Sequence, residues 1–163
     1  MNKLKILSII ALLSLVGIAN AQKKSAKAKD LKEVVKPFYT QCLTVNTNTN
    51  TDEVLSKLLD DNFQSINTME TKGKQQLMGQ IKGFWKLIPD LKWEIQEMIQ
   101  SGNQVIVRSI ATGSPKGSFM GMELDGSKSF KIMTIDIHTI EKGKIIKVYH
   151  IEEWATAMKQ LKG

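Results

Sequence analysis

The chain has 163 residues, 42% hydrophobic and 24% charged, with a formal net charge of +7 and a single cysteine. That is material for one globular domain plus an appendage, and one cysteine excludes an internal disulfide. Lys3 and Lys5 supply two of the seven positive charges and residues 22–36 supply four, so the rest of the chain carries +1 and offers no basic face for DNA or RNA.

Lys3 and Lys5 precede the apolar run 6–18, and Ala19-Asn20-Ala21 has the small-x-small form of a signal-peptidase site. Residues 1–21 are therefore expected to be a signal peptide. The run is shorter than the roughly 20 apolar residues of a spanning helix, and no later segment approaches that length. The mature chain, from about Gln22, is expected in the periplasm or the medium, with no integral membrane segment. Residues 22–29 read as a Lys-rich flexible lead-in and residues 30–163 as one domain.

Asp30 can cap a helix whose apolar positions Leu31, Val34, Val35, Phe38, Tyr39, Cys42 and Leu43 follow helical spacing, with Pro37 interrupting it. Cys42 reads as a small buried apolar residue on that helix. The Asn/Thr run 44–51 is a loop whose Thr51-Asp52 end caps a second helix carrying Val54, Leu55, Leu58 and Leu59. Asp60-Asp61-Asn62 is expected to break it, residues 63–69 to form a strand and residues 71–74 a turn. Leu77, Met78, Ile81, Phe84, Trp85 and Ile88 then recur at three and four, giving an amphipathic helix ended by Pro89.

Residues 91–99 alternate, with Leu91, Trp93, Ile95, Glu97 and Ile99 on one side. Ser101-Gly102-Asn103 turns this strand into 104–113, where Val105, Val107, Ser109 and Ala111 share a face. After a short segment with Phe119, Met120 and Met122, residues 128–154 read as a second hairpin. With Lys142-Gly143 as a two-residue turn, paired residue numbers sum to 285, which sets Ile135 opposite His150. One face is then Met133, Ile135, Ile137, Thr139, Ile146, Val148 and His150. Asp136 and His138 fall on the other, mixed face with Lys147 and Tyr149. A final helix is expected from about Glu153 to Leu161.

Helices first and long strands after them predict an α+β fold, a curved antiparallel sheet wrapped as a cone around the N-terminal helices. The cavity of such a cone would be lined by Phe84, Trp85, Trp93 and the apolar hairpin face, including Met133, Ile135 and Val148. His150 is its expected polar occupant, with Glu97, Arg108 and Glu153 as further candidates. His138 and His150 on opposite faces give no metal-ligand spacing, so neither a metal nor another cofactor is expected.

Leu87-Ile88-Pro89-Asp90-Leu91, the segment 113–121 with Gly126, Glu141-Lys142-Gly143-Lys144-Ile145 and the closing His150-Ile151-Glu152-Glu153-Trp154 together resemble the SnoaL-like polyketide cyclase family. The resemblance covers about residues 31–161 and implies the cone-shaped α+β fold of nuclear transport factor 2 and ketosteroid isomerase. It also implies an intramolecular aldol closure driven by a carboxylate near the start of the last helix, where Glu153 stands. Pro115 and Thr139 occupy positions where members often carry His and Arg. The expected function is an exported domain that binds a small, mostly apolar carbonyl compound, with Glu153 as base and His150 as acid. Two alternatives stand beside it: a non-catalytic module for a small hydrophobic ligand, and a module that homodimerises through the outer sheet face.

Overall fold

The computed structural model describes residues 30–163; the signal peptide and lead-in expected at 1–29 lie outside the described residues. Asp30 Oδ1 accepts the Lys32 N–H at 3.1 Å and opens helix α1, Lys32–Pro37. Pro37 has no N–H to give the preceding turn. Beyond it the chain winds as a wider π-helical turn, Phe38–Leu43, closed by the Thr44 N–H on the Tyr39 carbonyl at 3.0 Å. This winding turns Phe38, Tyr39, Cys42 and Leu43 all into the core.

Helix α2, Thr51–Leu58, is capped by Asn50, whose side chain accepts from the Glu53 N–H, one residue before the expected cap. The helix ends before the break expected at Asp60-Asp61-Asn62: α2 stops at Leu58 and runs directly into strand β1, Leu59–Ile66, which takes in those three residues. Chain reversal comes later: Asn67 Oδ1 accepts the N–H groups of Met69 and Glu70 at 2.9 and 3.0 Å. The expected turn at 71–74 is instead strand β2, Thr71–Gly73, followed by helix α3, Lys74–Leu87. Next come β3, Lys92–Ser101, β4, Gln104–Gly113, and a separate hairpin of β5, Lys116–Phe119, with β6, Met122–Asp125. Strands β7, Phe130–Glu141, and β8, Lys144–Glu152, lead into helix α4, Trp154–Lys162.

The main sheet has the order β2-β1-β8-β7-β4-β3. It is curved and α+β, as the sequence predicts, but mixed rather than wholly antiparallel, because β1 runs parallel to β8. The helices cover one face, and the core between helices and sheet includes Val35, Leu55, Phe63, Val107, Ile132 and Ile145. Each such side chain, fully buried, contributes about 1.5–3 kcal/mol.

Two bulges decide which side chains face that core. The Lys142-Gly143 turn is as expected, with both residues at positive φ. Glu141 pairs with Lys144 and Ile140 with Ile145 in the expected register. There the register shifts by one, so that Thr139 pairs with Lys147 and Asp136, not Ile135, lies opposite His150. A one-residue slip exchanges the faces of one strand relative to its partner. On β8, Val148 still points inward, but on β7 the inward set is Phe130, Ile132, Thr134, Asp136, His138 and Ile140. Met133 and Ile135, expected in the cavity, are on the outer face, each 37% exposed. A second shift between Ile95 and Glu97 of β3 does the same, leaving Ile99 exposed and Glu97 on an exposed ion pair with Arg108.

Candidate functional site

A cavity of about 240 Å³ lies between α3, the π-helical turn and the inner face of β1, β7 and β8. Phe38, Leu77, Ile81, Phe84, Trp93 and Val148 make most of its wall apolar. One end is closed by Trp154, in the first turn of α4, whose indole packs at 6.1, 6.0 and 5.7 Å from the rings of Phe84, Phe119 and Phe130. Three polar groups also come from the sheet: Asp136 from β7, and His150 and Glu152 from β8. Lys72 and Glu70 form an ion pair beside them, at the β1–β2 reversal.

Asp136 is 4% exposed. Burial pushes its carboxyl up to about 7; the Tyr39 hydroxyl, which donates to Oδ2 at 2.7 Å, and the His150 charge pull it down, while Glu152 pushes it further up. On the facing strand, His150 Nδ1 lies 2.8 Å from Glu152 Oε1. That hydrogen bond raises the imidazole above its ordinary value, with the Glu152 and Asp136 charges adding to it against burial and Lys72. With Nδ1 committed to Glu152, Nε2 is the ring nitrogen left to meet a bound molecule.

Behind Asp136, and fully buried, His138 Nε2 lies 2.8 Å from the same Tyr39 oxygen. Burial, reinforced by the His150 charge, holds this imidazole neutral, down to about 3. Burial and the Asp136 charge likewise hold the Tyr39 phenol protonated, well above its ordinary value. Chemically the cavity presents a carboxyl poised between its two protonation states, opposite an imidazole biased towards its cation. That is the arrangement of a general base with an acid partner.

Of the residues expected at the site, His150, Phe84, Trp93 and Val148 do line the cavity. Trp85 does not; its indole N–H donates to the Cys42 carbonyl at 2.9 Å. Cys42 is buried as expected, and burial pushes its thiol up to about 12. Glu153 stands at the N-cap of α4, exposed, with Oε2 accepting the Met133 N–H at 3.0 Å, outside the cavity lining. The expected register set Asp136 and His138 outside. Tyr39 was legible only as an apolar helix position, and Glu152 only as part of the closing motif, without a role of its own. Among the described residues no three His, Cys, Asp or Glu side chains are grouped to hold a metal ion, and no helix is long and apolar enough to cross a membrane.

Comparison with curated protein sequences returned no match. The family model for the SnoaL-like polyketide cyclase matches residues 33–161. Among solved structures, the chain is similar to one described as a SnoaL-like polyketide cyclase from Jannaschia sp., with TM-score 0.73 and 17% identity over 82% of this chain and 92% of that one. IdmH from Streptomyces antibioticus, described as a polyketide cyclase, superposes with TM-score 0.69 and 18% identity over 82% and 99% of the two chains. A protein of ketosteroid isomerase-like fold from Catenulispora acidiphila, in complex with trimethylamine, gives TM-score 0.64 and 15% identity over 80% and 92%. At these identities the structural likeness establishes the fold.

Proposed function

Because the chain belongs to the SnoaL-like polyketide cyclase family, we propose that its cavity takes a small, mostly apolar carbonyl compound and that Asp136 removes an acidic proton from it, with His150 as the acid partner. The observation that carries this is the buried Asp136 carboxyl, paired across adjacent strands with His150 on the same wall of a cavity whose remaining lining is mostly apolar. A base is most effective when it titrates near the working pH, and burial brings Asp136 to about 7. In its ionised form it takes a proton from the carbon next to the carbonyl. The C–H electron pair moves into an enolate, whose oxygen accepts a hydrogen bond from protonated His150 Nε2, and Glu152 sustains the imidazolium. The enolate carbon then either attacks a second carbonyl carbon of the same molecule, closing a ring whose new alkoxide oxygen takes up the proton that Asp136 removed, or takes that proton back. This reading moves the base from Glu153 to Asp136, since the Glu153 carboxylate is engaged with the Met133 N–H.

The volume of about 240 Å³ falls below the roughly 300–1,000 Å³ of drug-sized pockets, which supports a substrate of one or two rings or an equivalent chain. The test is α-proton exchange in D2O for a panel of small ketones and 1,3-dicarbonyl compounds, read by mass spectrometry. Deuterium incorporation by the native chain that is lost in Asp136→Asn is the expected result; binding of the ketones without incorporation would refute catalysis and leave a ligand-binding module. The N-terminal apolar run and its Ala19-Asn20-Ala21 end support export, checked by the mass of a chain beginning near Gln22 in the periplasm or medium. Met133, Ile135, Tyr149 and Ile151, exposed on the outer sheet face, support a homodimer, checked by sedimentation equilibrium.

A further inference from the structure

The mechanism leaves one buried titratable pair without a task. Tyr39 and His138 are both fully buried, the Tyr39 oxygen lies 2.7 Å from Asp136 Oδ2 and 2.8 Å from His138 Nε2, and His138 Nδ1 has no hydrogen-bond partner. We propose that His138, locked as its neutral Nε2–H tautomer, donates to the Tyr39 oxygen and so points the single Tyr39 hydroxyl proton at Asp136, making the two a positioning pair for the base.

The unpartnered nitrogen decides the tautomer. A proton on Nδ1 would be a buried donor with nothing to accept it, whereas a bare Nδ1 is only an acceptor left unused, and buried orphan N–H groups are the rarer and costlier of the two. Nε2 therefore carries the proton, and the phenol oxygen beside it must accept. A phenol has one proton to give, and the carboxylate oxygen is its other neighbour. The hydrogen bonds thus run one way, from His138 through Tyr39 to Asp136 Oδ2. Two consequences follow. The carboxylate form of Asp136 gains a directed donor that offsets part of its burial. With Oδ2 so occupied, Oδ1 is the oxygen left to receive a proton from a bound molecule.

The sequence builds this from three places. Tyr39 is presented by the π-helical turn after Pro37, and Asp136 and His138 are two apart on one strand, inward because of the β7–β8 bulge. Phe38 packs edge-on against His138 at 5.5 Å between ring centroids. The other titratable groups at this wall are His150 and Glu152 from β8, with Lys72 from β2 acting on His150.

The inference rests on Asp136 being the base, and its test uses no turnover, so the two fail separately. In ¹⁵N-histidine NMR spectra of the native chain, His138 should show a bare Nδ1 and a protonated Nε2 throughout pH 5–9. In Tyr39→Phe, the ¹³C-carboxyl titration of Asp136 should move up by about one to two pH units, the equivalent of one hydrogen bond to a charged group. A protonated Nδ1 in the native chain overturns the proposal without any variant. So does an unmoved Asp136 midpoint in Tyr39→Phe whose amide spectrum remains native.

Discussion

Replacing Asp136 with Asn should change how stability depends on pH, and the size of that change follows from two opposed buried groups. Burial raises the Asp136 carboxyl from 3.8 to about 7. Below pH 3.8 the carboxyl is protonated in both folded and unfolded chains and costs nothing. Between that value and about 7 the unfolded chain has released a proton that the folded chain keeps, so stability falls as pH rises. At 1.36 kcal/mol per pH unit, the full penalty above pH 7 is on the order of 4 kcal/mol. His138 acts in the other direction. Its imidazole is lowered from 6.5 to about 3, so below pH 6.5 the unfolded chain takes a proton that the folded chain refuses, and stability falls as pH falls, by a similar amount. Between about pH 4 and 6.5 the two slopes oppose each other and the native chain should be nearly level.

Asp136→Asn removes the first slope and leaves that of His138, with only the smaller lift that the Asp136 charge gives His150 lost beside it. Urea unfolding at pH 4, 5, 6, 7 and 8 should show the variant gaining on the native chain by up to about 4 kcal/mol from the acid to the alkaline end. The amide's own unpaired donors shift the whole difference by about 1–3 kcal/mol but not its trend. A difference that stays constant with pH would refute the argument, because it would mean that Asp136 titrates alike in the folded and unfolded chains.

His138→Leu should expose the opposite slope, giving a chain that loses stability steadily from pH 4 to 7 by the same unfolding assay. The α-exchange rate should peak near neutrality, since it needs Asp136 ionised, about 7, and His150, raised by Glu152, still protonated; a rate that climbs without limit above pH 9 would contradict this. Glu153→Ala should cost about 1 kcal/mol through the lost bond to the Met133 N–H, seen as a lower urea midpoint. Abolished exchange in a folded Glu153→Ala would instead return the base to the start of α4. Gly113→Ala should cost about 1–3 kcal/mol, because a Cβ there would overlap Ile88 Cγ2, which is buried with no slack.

The α+β architecture was legible because its elements carry strong periods: α3 repeats apolar residues at three and four, and β4 alternates cleanly from Val105 to Ala111. Capping by Asn50 and the β1–β2 reversal at Asn67 were displaced from their expected places, since Asn, Asp and Thr crowd both regions and each can bond nearby backbone. The inner wall was harder to read. Strand β7 carries Ile on both faces, at 132 and 140 inside and at 135 and 137 outside, so alternation could not choose between them. The choice hung on register, and one extra residue in β8 after Ile145 reversed it. Val148 and His150 were placed inward on the right strand, while their partners Asp136 and His138 were turned out. Tyr39 lay among apolar helix positions, and its hydroxyl gained meaning only when β7 was turned inward against it.

The central claim is that Asp136 is a buried carboxyl sharing its proton near neutrality, and ¹³C-carboxyl NMR titration of the native chain measures that directly. One aspartate resonance, absent from Asp136→Asn, should titrate with a midpoint near 7. A midpoint near 4 for that resonance would make Asp136 an ordinary carboxylate and would remove the base from the proposed function.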